Sequence, residues 1–361
     1  MGHGGNIYEI QRKYNIEKNK LIDFSSNINP LGLPKTLKKI IMSRMDDLEA
    51  YPDIHYYQLK TAISKYYSLD IDNIFVGNGA AQVIYDIIHG IKPKDAIVLA
   101  PTFSEYERAL NSSGSNIIHY YLKEEDDFQL IPEDFIKIID DSIDLIVLCN
   151  PNNPTSKLIN IKTMESILEK AKKHKTFVMI DEAFMDFVKS EEDYSMLKMY
   201  RDYNNLIIVR AFTKFYAIPG LRLGFGITCN KDILNRINNT SLPWSLNTFA
   251  GYFGEVLLTE DEYVDKTHKW LEEEKARFVA KLKEIRGIKV YEPAVNFILI
   301  KIIKDNIDVD ILKEEFLKES ILIRDCSNFK GLDKKFFRIA IKAPSLNDGF
   351  IKVLKKIIQN N

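Results

Sequence analysis

An α/β fold built on a mostly parallel, seven-stranded sheet, followed by a smaller α+β domain, is predicted by two observations. From about residue 72, short and mostly β-branched apolar runs alternate with helix-like stretches. After SLPWSLN this texture gives way to long, charged helical patterns and a few short strands. Near-continuous apolar strands separated by helices describe a sheet covered on both faces.

Residues 1–30 read as an N-terminal arm ending in the loop cluster SSNINPLGLP. Residues 31–237 form the large domain. Its strands are NIFV, AIVLA, NIIHYYL, LIVLC, FVMID, LIIVR and LRLGFGI, with helical texture in AQVIYDIIHGI and TMESILEKAKKHK between them. Residues 238–361 form the small domain. A long helical pattern runs from Ala250 to Ile285, followed by VNFILIKI, a helix over VDILKEEFLKES, then ILIRDC and FFRIAI. A last helix opens at SLND, with Ser345 as N-cap and Asp348 three residues on.

Composition excludes several functions. The 361 residues hold 50 basic and 51 acidic side chains, so no net field attracts nucleic acid. Cys149, Cys229 and Cys326 are far apart and form no CxxC pair, which argues against a disulfide framework or zinc site and for a reducing cytoplasm. The N-terminal stretch has no apolar core of signal-peptide length, and no apolar run is long enough to span a membrane.

In an open α/β sheet, ligands collect beyond the carboxyl ends of the strands. GNGAAQ follows the first strand, where Gly79 and Ala80 open a helix whose free N–H groups suit an anion. PTFSEY puts Phe103 at the next strand end, able to stack on a flat ring. NPNNPTS is a rigid polar turn whose Asn153 amide can donate. Asp181 ends FVMID and needs a cationic or donor partner. RAFTKFYAIPGLRLGF brings Thr213 and Lys214 just past a strand, with Arg222 returning after the turn to fork onto a phosphate. Each motif alone has an ordinary structural explanation. Together they gather an amine, an aromatic ring, an amide, a carboxylate and an anion cradle, the set that pyridoxal 5'-phosphate (PLP) requires.

On NPNNPT, DEA and TK…GLRLG, in that order and spacing, the chain resembles fold-type I PLP enzymes of the class I/II aminotransferase superfamily over essentially its whole length. Two branches compete. HGGNIYEI, DFSSNINPLGLP, YPDIHYYQL, DEAFMDF and LPWSLN are more similar to L-threonine-O-3-phosphate decarboxylases of cobalamin biosynthesis than to histidinol-phosphate aminotransferases. The resemblance implies a carboxy-lyase acting on a small phosphorylated amino acid. The alternative is an aminotransferase, and phosphoserine decarboxylation is a near variant.

The resemblance also implies roles. Lys214 is the Schiff-base lysine, Asp181 the partner of the ring nitrogen, Asn153 the ring-oxygen donor and Phe103 the stacking aromatic. Gly79, Ala80, Thr213 and Arg222 form the phosphate cradle. Tyr51 reaches the cofactor of a neighbouring subunit, which implies a homodimer with shared sites. Arg338 takes the substrate carboxylate, Arg324 a second anion, and His3 and Asn29 close over the substrate phosphate. The chain departs from the pattern at Ala211, Ser156 and Phe184, where relatives often carry Ser or Thr, Gly and Tyr.

Overall fold

The computed structural model describes residues 4–360. After a helix over Ile7–Tyr14 and a short strand β1 (Ile22–Asp23), the seven apolar runs become seven strands of one sheet. These are β2 (Ile74–Gly77), β3 (Asp95–Ala100), β4 (Asn116–Tyr121), β5 (Leu145–Cys149), β6 (Phe177–Asp181), β7 (Leu206–Ala211) and β8 (Gly224–Ile227). Their order is β2-β8-β7-β6-β5-β3-β4. All pairings are parallel except those of β8, which runs antiparallel to both neighbours.

Alternation along the strands sends successive side chains to opposite faces. Ile207 and Val209 of β7 pack with Val83, Ile87 and Ile233, from the helices Gly79–Ile91 and Lys231–Thr240. Ile208 joins the other layer, with Met164 and Ile167 of the helix Ile161–Lys173. Both faces are therefore covered, and β5 and β7 are buried along their whole length.

The C-terminal portion carries a four-stranded antiparallel sheet in the order β12-β13-β10-β9. Its strands are β9 (Ile288–Val290), β10 (Phe297–Ile302), β12 (Arg324–Asp325) and β13 (Phe336–Ala340). A further strand, β11 (Ile321–Leu322), pairs in parallel with β1, stitching the N-terminal segment to this portion.

Two expectations need correction. The helical pattern from Ala250 to Ile285 is divided into Thr248–Gly251, Phe253–Leu257 and Asp261–Lys283. Gly251 and Gly254 lower helix propensity there, and Asp261 and Glu262 favour a fresh N-terminus. Ser345 is not the cap of the last helix, because that helix spans Pro344–Asn360 and opens on a proline, which lacks the N–H a cap would satisfy. Asp348 instead accepts from Arg277 at 2.7 Å and Lys281 at 2.8 Å. All three cysteines are free. Among the described residues no helix is long and apolar enough to cross a membrane.

At the carboxyl edge of β6 and β7 lies an ion-pair network with a fully buried centre. Arg210 Nε sits 3.0 Å from Glu182 Oε2, and both side chains are entirely shielded from solvent. The same guanidinium reaches Asp186 at 2.9 Å and Ser195 Oγ at 3.0 Å. Burial alone would lower the Arg210 pKa, but Glu182, Glu191 and Asp186 outweigh it and hold the side chain charged. Replacing Arg210 with Met leaves Glu182 buried without its counter-charge. Urea denaturation of Arg210→Met should show a loss of about 3–5 kcal/mol, and a loss below about 1 kcal/mol would mean that the pair adds nothing to the fold.

Candidate active site

A cavity of about 500 Å³ opens beyond the carboxyl ends of the central strands. Asp181, Asn153, Phe103, Ala80, Thr213, Lys214 and Arg222 all line it, as do Arg324 and Arg338 from β12 and β13. Residues expected from seven separate stretches of sequence thus meet in one place.

The anion cradle is built by close approach. Gly79 opens its helix with φ +81°, and a Cβ there would lie 2.5 Å from an Arg222 terminal nitrogen. Gly224 is equally confined, since its Cβ would fall 2.5 Å from the Ala80 backbone nitrogen. The guanidinium and the first N–H groups of a 13-residue helix therefore converge at one point, where a phosphate is favoured.

Asp181 is 4% exposed. It accepts from the Tyr106 hydroxyl at 2.6 Å and from the Ala183 N–H at 2.9 Å. Burial still pushes its pKa up, so the carboxylate gains from a cation placed against it. Burial, then Arg338 and Arg222, push the Lys214 amine down to about 8. A lysine so perturbed is largely a neutral nucleophile in mildly alkaline solution. Asn153 accepts from Arg338 through its side-chain oxygen, which leaves its NH₂ group as the donor end. Phe103 stands edge-on to Tyr106, with ring centroids 5.6 Å apart. A flat, phosphorylated pyridine aldehyde fits this donor set. Arg222 and the helix start would meet its phosphate, Asp181 its ring nitrogen, Asn153 its ring oxygen, Phe103 its face and Lys214 its aldehyde.

The arginines at the other wall are buried. Arg324 is 8% and Arg338 5% exposed. Burial lowers the pKa of both, that of Arg338 to about 10. Arg338 donates to Ser25 O at 2.8 Å, while its Nε finds no acceptor among the described residues.

Asn29 does not close over the cavity, contrary to expectation. Its amide is committed to Phe215 O and Thr267 Oγ1, both at 2.8 Å, and its N–H donates to Lys214 O at 3.1 Å. It fixes the loop that carries the lysine. Tyr51 does not join the cavity of its own chain. It is 81% exposed and packs on Trp244 with centroids 4.9 Å apart. His3 lies outside the described residues. Phe184 lines the cavity without a hydroxyl to offer, packed edge-on against Phe297 at 5.0 Å. Ala211 lines it too. Ser156, with φ +61°, accepts through its hydroxyl from Ala294 and Val295 N–H groups at 3.0 and 3.1 Å, a bond that glycine could not make.

Sequence reasoning missed Tyr106 and the Ser25–Asn27 segment. The signal for Tyr106 was its position three residues beyond Phe103, in the first turn of the helix Glu105–Ser112. Ser25 enters through pairing across more than 300 residues, which no local pattern encodes.

Residues 19–354 match the family model for aminotransferase class I and II. The threonine-phosphate decarboxylase of Salmonella typhimurium is 35% identical over 99% of this chain and 96% of its own length. The adenosylcobalamin biosynthesis bifunctional protein CobDQ of Leptospira interrogans is 32% identical over 98% of this chain and 41% of its own length. A crystal structure described as the histidinol-phosphate aminotransferase from Clostridium acetobutylicum superposes with a TM-score of 0.88. It is 37% identical, over 94% of this chain and 100% of that one. With the fold, the cavity and the full-length match in agreement, the chain belongs to the class I and II aminotransferase family.

Proposed function

We propose that the protein decarboxylates L-threonine O-3-phosphate to (R)-1-aminopropan-2-yl phosphate and CO₂, in cobalamin biosynthesis, with PLP as its cofactor. The observation that carries this reading is the pairing of Arg324 with Arg338, directly opposite each other in the antiparallel β12–β13 register. Opposed residues in such a pair have Cα atoms about 4.5–5.5 Å apart. Two neighbouring guanidiniums suit a substrate with two anionic groups only a few bonds apart. Threonine phosphate has a carboxylate on Cα and a phosphate on the Cβ oxygen. Histidinol phosphate has one anion and an imidazole, so in an aminotransferase only the dicarboxylate co-substrate would use both arginines.

Bound PLP supplies an electron sink for the pair left on Cα when the carboxylate departs. The chain's own residues choose the bond. Arg338 holds the carboxylate and Arg324 the phosphate, and together they set the rotation of the substrate about its Cα–N bond. Asp181 keeps a proton on the ring nitrogen facing it. Lys214 Nζ holds the proton that is returned to Cα once CO₂ has left.

The exposed Tyr51, Tyr57, Met42, Leu48, Leu242 and Trp244 give an apolar surface that suits a homodimer. In that dimer Tyr51 serves the partner's site. Three free thiols fit a reducing cytoplasm.

With L-threonine O-3-phosphate and no keto acid, the PLP-loaded protein should release CO₂ and aminopropanol phosphate in equal amounts, and Lys214→Ala should release neither. Glutamate formed from histidinol phosphate and 2-oxoglutarate, without CO₂ release, would overturn the lyase reading in favour of transamination. The rate at which the apoprotein takes up PLP should climb about tenfold per pH unit and level off near pH 8, where Lys214 becomes neutral. A rise continuing towards pH 10.5 would show an unperturbed lysine. Lys214→Ala protomers, inactive alone, and Tyr51→Ala protomers, weak alone, should regain activity when mixed and reassociated. No gain on mixing would place Tyr51 outside the shared site.

A further inference from the structure

The buried arginines of this chain fall into two kinds. Arg210 is surrounded by carboxylates. Arg324 and Arg338 are held by neutral oxygens. Arg324 donates to the Asp325 carbonyl and, at 2.8 Å, to Asn328 Oδ1. Arg338 donates to Asn153 Oδ1 and to Ser25 O. Among the described residues, no carboxylate lies within ion-pair distance of either arginine. The nearest candidate in sequence, Asp325, turns its side chain away. It accepts from Lys313 at 3.1 Å and from the Ser327 N–H at 2.9 Å. Phe329 covers Arg324, its ring centroid 4.8 Å from the guanidinium carbon, so that the edge of the guanidinium remains for hydrogen bonding.

Resting on the reading of Arg324 as a substrate-anion ligand, we propose that Asn328 is a specificity-determining residue for phosphorylated substrates. Its amide oxygen positions the Arg324 fork and leaves the positive charge unspent. A carboxylate of the same shape would hold the fork equally well. It would also neutralise the guanidinium and set a negative charge beside the incoming phosphate. The loop therefore needs an acceptor at this point and is harmed by an anion. The plainer possibility is that Asn328 merely shapes the turn between Cys326 and Gly331.

Asn328→Asp separates the two, because a structural residue tolerates an exchange that makes its hydrogen bond charge-assisted. Steady-state CO₂ release should show KM for L-threonine O-3-phosphate raised about 10- to 100-fold, with the loss in KM rather than kcat. The preference for L-threonine O-3-phosphate over L-threonine should narrow by a similar factor, and the thermal midpoint should hold or rise. A KM within about threefold of wild type overturns the proposal. Should Asn328→Asp fail to fold, Asn328→Ala is read in its place, with KM expected to rise about 3- to 10-fold. A KM for that variant within about twofold of wild type overturns the proposal equally. The wild-type protein is the control, since absent CO₂ release from it sinks the functional reading itself, whereas an active wild type with an indifferent Asn328→Asp sinks only the role of Asn328.

Discussion

The ion pair between Arg210 and Glu182 fixes the platform on which the site stands. Glu182 directly follows Asp181 at the end of β6, and Arg210 lies four residues before Lys214 at the end of β7. The Glu182 N–H also donates to Val209 O at 2.8 Å. Asp181 and the loop bearing Lys214 are thus tied through their immediate neighbours. Two charges taken fully out of water are costly unless their remaining bonding capacity is met. Here Ser195 Oγ and the Met196 N–H, at 2.7 and 2.9 Å, complete the coordination of Glu182.

The chain spends its charge differently a short distance away. In the cavity, Lys214, Arg222, Arg324 and Arg338 gather beside few carboxylates. Asp181 already has a hydroxyl and an N–H donor, and Asp325 is drawn off by Lys313. The resulting positive field is what depresses the lysine, after burial itself. A phosphate cofactor and a substrate with two anionic groups would bring the missing negative charge. Compensated arginines hold the fold, and arginines on neutral acceptors are left for ligands.

Much of this was legible in the sequence where local chemistry was unusual. A glycine-rich helix start, a carboxylate at the end of an apolar strand and a lysine just past another each stand out against ordinary patterns. The seven apolar runs identified the large sheet because buried parallel strands have little choice of composition. What stayed hidden depends on contacts distant in sequence. Asn29 looked like a pocket residue but is consumed by Phe215 and Thr267. The strand Ile288–Val290 was too short and too mixed to announce itself. The division of the long C-terminal helix turned on two glycines inside an otherwise continuous periodic pattern. Neither the Arg324–Arg338 register nor the neutrality of their partners can be read along one strand.

The parallel pairing of Ile22–Asp23 with Ile321–Leu322 carries a consequence for how the molecule is made. Ser25, whose carbonyl steadies Arg338, is separated from it by 313 residues. A ribosome releases the first of these long before it has built the second. During that interval the large sheet can assemble, because all its strands precede β9 in the chain, although β2 must wait for β8 before it has a partner. The cavity wall bearing Arg324 and Arg338 has no counterpart to close against until almost the entire message has been translated. A chain cut short before β13 therefore carries Lys214 but lacks Arg338, and on the proposed reading it would have nothing with which to hold the substrate carboxylate.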